Sequence, residues 1–277
     1  MSDDMISSNP HIARFVGVVS LLAVLILAAC QPAPTPPIEG EGTQTRPDLV
    51  GLIEWDKLPT NVIFRAMQVN ETTSDFLRQG DVAECTIFGD NGMVYLLSEN
   101  EQGAIVAVDR VSDDAIRSFI EDLTTTYDLF NQTTGITTEE GASLLYETIS
   151  IAINGQRFSF NSLGGWDGDY YNKVVERCRA VSTTPAEFVP EGGAWISVQP
   201  TVYDPNQAAV VWESAPNSFP LEPLANGQRQ WVKSGGVVAL WDIQRATSPT
   251  IQIQQNGKTY QVVIQVPGIT FNAPDAP

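Results

Sequence analysis

Histidine is nearly absent: the 277 residues contain one, His11. Beyond position 11, a Ser-His-Asp triad, a Cys-His nucleophile and a His-ligated zinc are therefore excluded. Cysteine is scarce too. Cys30, Cys85 and Cys178 are the only three, too few for a four-thiolate zinc site. The chain has no GxxxxGK[ST] loop, no GxGxxG after a strand and no GxSxG elbow, so the usual nucleotide and hydrolase signals are missing. No cofactor and no metal site are expected. Positive charge is short, with Lys+Arg 15 against Asp+Glu 33 and a formal net charge of −18. Such a surface repels phosphate backbones, which excludes nucleic acid as a natural partner.

A membrane-length apolar run is lacking as well. The longest weakly polar-to-apolar stretch is Phe15 to Ala29, fifteen residues, where a helical span needs about 20. Fifteen fits the apolar region of a signal peptide, preceded by Arg14 and His11. Asp3 and Asp4 are unusual there, and a start at Met5 would remove both. The run ends Leu27-Ala28-Ala29-Cys30. This resembles the lipobox of bacterial lipoproteins: a branched apolar residue, two small ones, then the cysteine that receives lipid. The resemblance implies a signal peptide over 1–29, cleavage before Cys30, and acylation of that residue. The protein would then be lipid-anchored in the cell membrane or outer membrane, with its domain outside the cytoplasm. Two or three acyl chains give stable anchoring where one does not.

Residues 31–48, "QPAPTPPIEGEGTQTRPD", contain five prolines and two glycines. This is a tether, reaching at most about 50 Å at proline-rich extension. With Cys30 lipidated, Cys85 and Cys178 remain as an even pair in a compartment where disulfides persist. Ala83, Cys85 and Ile87 share a strand face. Val174, Val175, Cys178 and Val181 share a helix face. Both thiols therefore point to a core, either bonded or as two separate small hydrophobes.

The remaining pattern predicts an α+β fold, antiparallel and β-rich, with two short helices in ββα-like units and a C-terminal β-rich part. Strands are expected at "TNVIFRAMQV", "VAECTIF", "MVYLLS" and "AIVAVD", with an Asn91-Gly92 hairpin turn between the second and third. Ser112 caps a helix whose stripe is Ile116, Phe119, Ile120, Leu123 and Tyr127. "YETISIAI", Asn154-Gly155 and "QRFSF" form a second hairpin, followed by a helix over 170–181 with Asp169 as its cap. The recurrence is either a degenerate repeat or a common arrangement. Residues 182–192 are expected as a linker. Residues 193–277 follow as nearly all strand, including "GVVALWDIQ" and a hairpin at Asn256-Gly257. That part is either separate from the 49–181 domain or docked on it. The phrases "ECTIFGDNGMVYLL" and "DRVSDDAIRSFIEDL" resemble a pattern in uncharacterised bacterial envelope lipoproteins, which carry no activity to transfer.

One local constellation combines ring and carboxylate chemistry: "GGWDGDYYN", 164–172. Trp166 and Tyr170 could stack on a sugar while Asp167 and Asp169 accept its hydroxyls. Asp167, Asp169 and Asn172 could offer oxygens to calcium, although the spacing fails the EF-hand pattern. The plain alternative is a loop and helix cap with a tyrosine in the core. The expected function is a non-catalytic binding ectodomain whose partner is an envelope protein, cell-wall glycan or an extracellular protease. The alternatives are a glycan-active enzyme using paired carboxylates and a passive assembly component.

Overall fold

The computed structural model describes residues 53–70, 73–100, 103–132, 145–163, 166, 169–247 and 250–277, all within one compact unit, Arg46–Pro277. Cys30, the signal segment, the tether and Asp167 lie outside the described residues. The fold contains both helices and strands, and its two sheets are mostly antiparallel.

The first sheet begins as a meander of β1 (Val62–Asn70), β2 (Cys85–Phe88), β3 (Gly92–Asn100) and β4 (Gly103–Arg110). A short helix, α1 (Asp75–Arg78), interrupts it; Ser74 caps this helix by accepting from the Leu77 backbone N–H. Helix α2 (Asp113–Thr125) follows. The Ser112 hydroxyl accepts from the Ala115 N–H, and Asp113 and Asp114 meet the positive end of the helix. The hairpin of β5 (Leu145–Ile153) and β6 (Gln156–Leu163) joins the far side of β1, and helix α3 (Tyr170–Arg179) returns over the sheet. Strand β7 (Ala186–Glu187) closes the other edge, giving the order β6-β5-β1-β2-β3-β4-β7. Each hairpin β3-β4 and β5-β6 is thus followed by a helix, and both helices pack on one face of the sheet. The large core there joins Phe64, Ile87, Phe119, Ile120, Ile151 and Val174.

The Cys85–Cys178 disulfide is present and pins α3 to β2 across 93 positions of sequence. Both residues are fully buried.

The second sheet has the order β10-β8-β12-β11-β9, built from β8 (Ala194–Thr201), β9 (Ala209–Val211), β10 (Gln230–Val232), β11 (Gln252–Gln255) and β12 (Lys258–Gln265). Its single parallel pairing is β9 with β11. The C-terminal part is docked: a second core joins Ile196, Val262 and Ile264 to Val94 and Val106 on the other face of the large sheet.

Four expectations are corrected. "GVVALWDIQ" is not a strand but helix α4 (Gly235–Ala246), which raises the number of helices above the two expected. Val237, Leu240, Trp241 and Gln244 fall on one buried stripe, and the Ser234 hydroxyl accepts from the Gly236 N–H. The β-branched pair Val237-Val238 favours a strand, but the i, i+3, i+4, i+7 spacing and the cap prevail. Close packing of this helix start also needs glycine: a Cβ on Gly236 would lie 2.3 Å from the Asn217 carbonyl oxygen.

The first hairpin does not turn on Asn91-Gly92. Its turn is centred on Gly89-Asp90, closed by Asn91 N–H donating to the Phe88 carbonyl, and only Asn91 takes positive φ, at 70°. The Asn91 amide is committed elsewhere, donating to the Val111 carbonyl and to Asp113 at the start of α2. At Asn154-Gly155 and Asn256-Gly257 both residues do take positive φ, as two-residue hairpin turns require.

The segment 182–192 is tied down rather than a loose linker. β7 pairs with β4, and Phe188 donates its N–H to the Val106 carbonyl and packs edge-on against Trp241. Finally, Asp169 stands at the N-cap position of α3 in the left-handed region, φ 64°, with no side-chain cap bond; its carboxylate instead accepts from the Asn172 amide.

The disulfide closes a long loop, so its removal frees much unfolded-state entropy. Cys178→Ser is expected to cost about 4 kcal/mol of unfolding free energy, read by urea denaturation. Without reductant, the unfolded wild-type protein should take up no alkylating agent at Cys85 or Cys178.

Candidate functional site

The loop singled out for its aromatic and acidic residues builds core. Trp166 is 8% exposed and stacks on Tyr171 at 5.9 Å with an interplanar angle of 4°; Tyr170 tilts against it at 6.1 Å. The Trp166 N–H donates to the Glu147 carboxylate, while its indole nitrogen and the Tyr170 and Tyr171 hydroxyls are buried without partners. Burial pushes both tyrosine hydroxyls far above their ordinary ionisation range. Little of the Trp166 ring is left for a sugar to cover. Asp169 lies at the exposed side of the same turn, bonded to Asn172. Among the described residues no group of three or more His, Cys, Asp or Glu could hold a metal ion. No described helix is long and apolar enough to cross a membrane.

A different feature offers binding chemistry. After β12 the chain turns at Val266–Thr270, where the Thr270 hydroxyl accepts from the Val266 N–H. It then runs back as a strap. Thr270 bridges Val82, Phe271 donates its N–H to the Asp81 carbonyl, and the Asp275 carbonyl accepts from the Trp195 indole. Three cavities line this strap and a fourth adjoins them, and each shares lining residues with the next.

The first, about 500 Å³, is mainly apolar, with Phe88, Val94 and Val108. It shares Pro59, Phe88 and Gly268 with the second, about 530 Å³, which contains Arg65 and Thr86. Phe271 and Asn272 connect this to the third, about 430 Å³, with Asp75, Arg78, Asp81 and Gln265. Gln79 and Arg229 lead to the fourth, about 440 Å³, against Phe76, Ser197 and Gln199. Together they form a row of adjoining cavities, the strap cleft. Sequence reasoning missed it because its residues come from β1, β2, α1, β8 and the strap, and no local motif joins them.

The cleft's polar groups are incompletely satisfied. Gln265 is 2% exposed and its Oε1 has no hydrogen-bond partner. Arg65 has a partnerless Nε and a guanidinium 5.2 Å from the Phe271 ring centroid. Burial pushes the Asp81 carboxyl up to about 6, against the opposing charges of Arg245 and Arg78. Arg245 itself is drawn down to about 10 by burial, with Asp81 opposing; it stacks 4.6 Å from the Trp241 ring and donates to the Gly80 carbonyl.

Asp109, beside the apolar cavity, is the contrary case. Burial opposes its ionisation, but donors from Ser182, Thr184 and the Arg110 N–H outweigh it and hold the carboxyl well below the usual range. That carboxylate fastens the 182–184 turn and has a structural task.

No family model matches the chain, and no curated protein or solved structure matches it.

The raised Asp81 sets a pH dependence of stability. Its folded form holds a proton more tightly than the unfolded chain, so its contribution falls as pH rises from about 4 to about 6 and is flat above. Asp81→Asn should therefore gain stability relative to wild type across that window. Solvent screening of the partly exposed group limits the gain to on the order of 1 kcal/mol at pH 7.5. The measurement is the wild-type-minus-variant difference in unfolding free energy, which cancels the other carboxylates.

Proposed function

We propose that the protein is a cell-envelope lipoprotein, attached through lipid on Cys30, whose ectodomain binds a partner without chemistry in the strap cleft. The observation that carries the binding reading is the cleft itself: four adjoining cavities framed by both sheets. The partner is an envelope molecule, protein or cell-wall glycan, met outside the cytoplasm. The anchoring reading rests on "LAAC" at the end of a fifteen-residue apolar run and on the proline-rich tether after it. The disulfide supports an oxidising compartment.

A second reading, glycan hydrolysis by paired carboxylates, has one observation in its favour. Asp75 and Asp81 line the same cavity, and Asp81 has the raised carboxyl a general acid needs. Against it, Asp75 is largely exposed and already ion-paired with Arg78. Binding is therefore the better-supported role.

Anchoring is tested by metabolic labelling with radioactive palmitate in a bacterial host. Wild-type chain should incorporate label, and Cys30→Ser should incorporate none. An unlabelled wild type, or a variant labelled as strongly, would contradict the proposal.

A further inference from the structure

We propose that Arg65 is the anchor of an anion subsite in the strap cleft. Its ligand carries a single anionic head, a carboxylate or phosphate monoester, on an apolar body that extends into the adjoining cavity. The inference rests on the cleft being a binding site and adds what it binds.

Arg65 lies on the outer face of the large sheet, directly opposite Thr86 on β2 and Ser150 on β5. Among the described residues no carboxylate lies within ion-pair distance of it. The charge that acts on it is that of Arg157, another cation with no ion pair among the described residues. Burial and this neighbour both disfavour its charged form. Arginine nevertheless remains protonated in proteins. A partly buried cation beside a second cation is costly, and an opposite charge relieves it.

The protein has 33 acidic residues against 15 basic ones, yet among the described residues none pairs with Arg65. Five other arginines, Arg78, Arg110, Arg117, Arg177 and Arg179, each meet a carboxylate. Asp275 lines the same cavity but stands exposed and makes no ion pair with Arg65.

The geometry suits an anion with a body. One guanidinium face is turned to the Phe271 ring, which limits its rotation. The Nε is buried and unpaired, and Arg65 and Thr86 line the same cavity. A guanidinium recognises carboxylate or phosphate oxygens through its N–H groups. Past Phe88 and Gly268 the cleft becomes the cavity lined by Val94 and Val108. An apolar group there gains burial while the head stays at Arg65.

The test uses the full chain in lipid nanodiscs and isothermal titration with three probes of one body: 4-phenylbutanoate, 4-phenylbutyl phosphate and neutral 4-phenylbutanamide. At least one anion should bind about tenfold or more tighter than the amide, the range of a charge-assisted hydrogen bond. Whichever anion shows that preference identifies the head. Arg65→Gln should abolish the preference, and Arg65→Lys should retain part of it, with circular dichroism unchanged in both. Equal binding of anions and amide, or an undiminished preference in Arg65→Gln, overturns the anion subsite while leaving the cleft as a binding site. Failure of all three probes to bind overturns the subsite as well and removes support for the cleft.

Discussion

The large sheet must be covered on both faces, and the rest of the fold follows from that. Strands β3 and β4 carry apolar residues on both sides. On β3, Met93 and Tyr95 enter the core under the helices, while Val94 and Leu96 enter the core shared with the second sheet. β4 does the same with Ala107 on one side and Val106 and Val108 on the other. Helices α2 and α3, with the disulfide, cover the first face. Only the C-terminal part, with α4 and the second sheet, can cover the other. An isolated 49–181 domain would expose that second apolar face to water.

The second cover is smaller than the sheet it protects, and the cleft arises there. β5 alternates, with Ile149, Ile151 and Ile153 buried and the intervening residues only partly so. Beside it, Arg65, Met67 and Val69 of β1 line cavities rather than core. The strap from Val266 to Asp275 crosses this uncovered strip and joins the sheets through Thr270, Phe271 and Asp275. Binding chemistry is therefore placed where two covers fail to meet, a common location for ligand sites.

Local signals in the sequence were legible where they acted alone. Ser112 with Asp113 and Asp114 marked the start of α2, two Asn-Gly pairs marked hairpins, and the face pattern around Cys85 and Cys178 pointed both thiols inward. Docking was legible in principle: continuous runs such as "MVYLL" and "AIVAV" differ from the alternation of "ISIAI", and the difference is one covered face against two. Helix α4 was obscured because β-branched residues and a strand-rich neighbourhood outweighed a four-residue stripe. Asn91-Gly92 failed because Asn91 serves α2, a contact twenty residues away. The candidate site was least legible. Arg65 reads in sequence as one charged residue in a strand, and only assembly reveals that no acid among the described residues meets it.

The central claim is that both sheets form one cooperative body framing the cleft. Native-state hydrogen exchange under increasing urea tests it most directly. The slowest amides of β5 and β12 should merge onto one opening isotherm with the same free energy. Amides of β12 and α4 that open at markedly lower free energy, while β5 stays protected, would show two independent bodies and contradict the account.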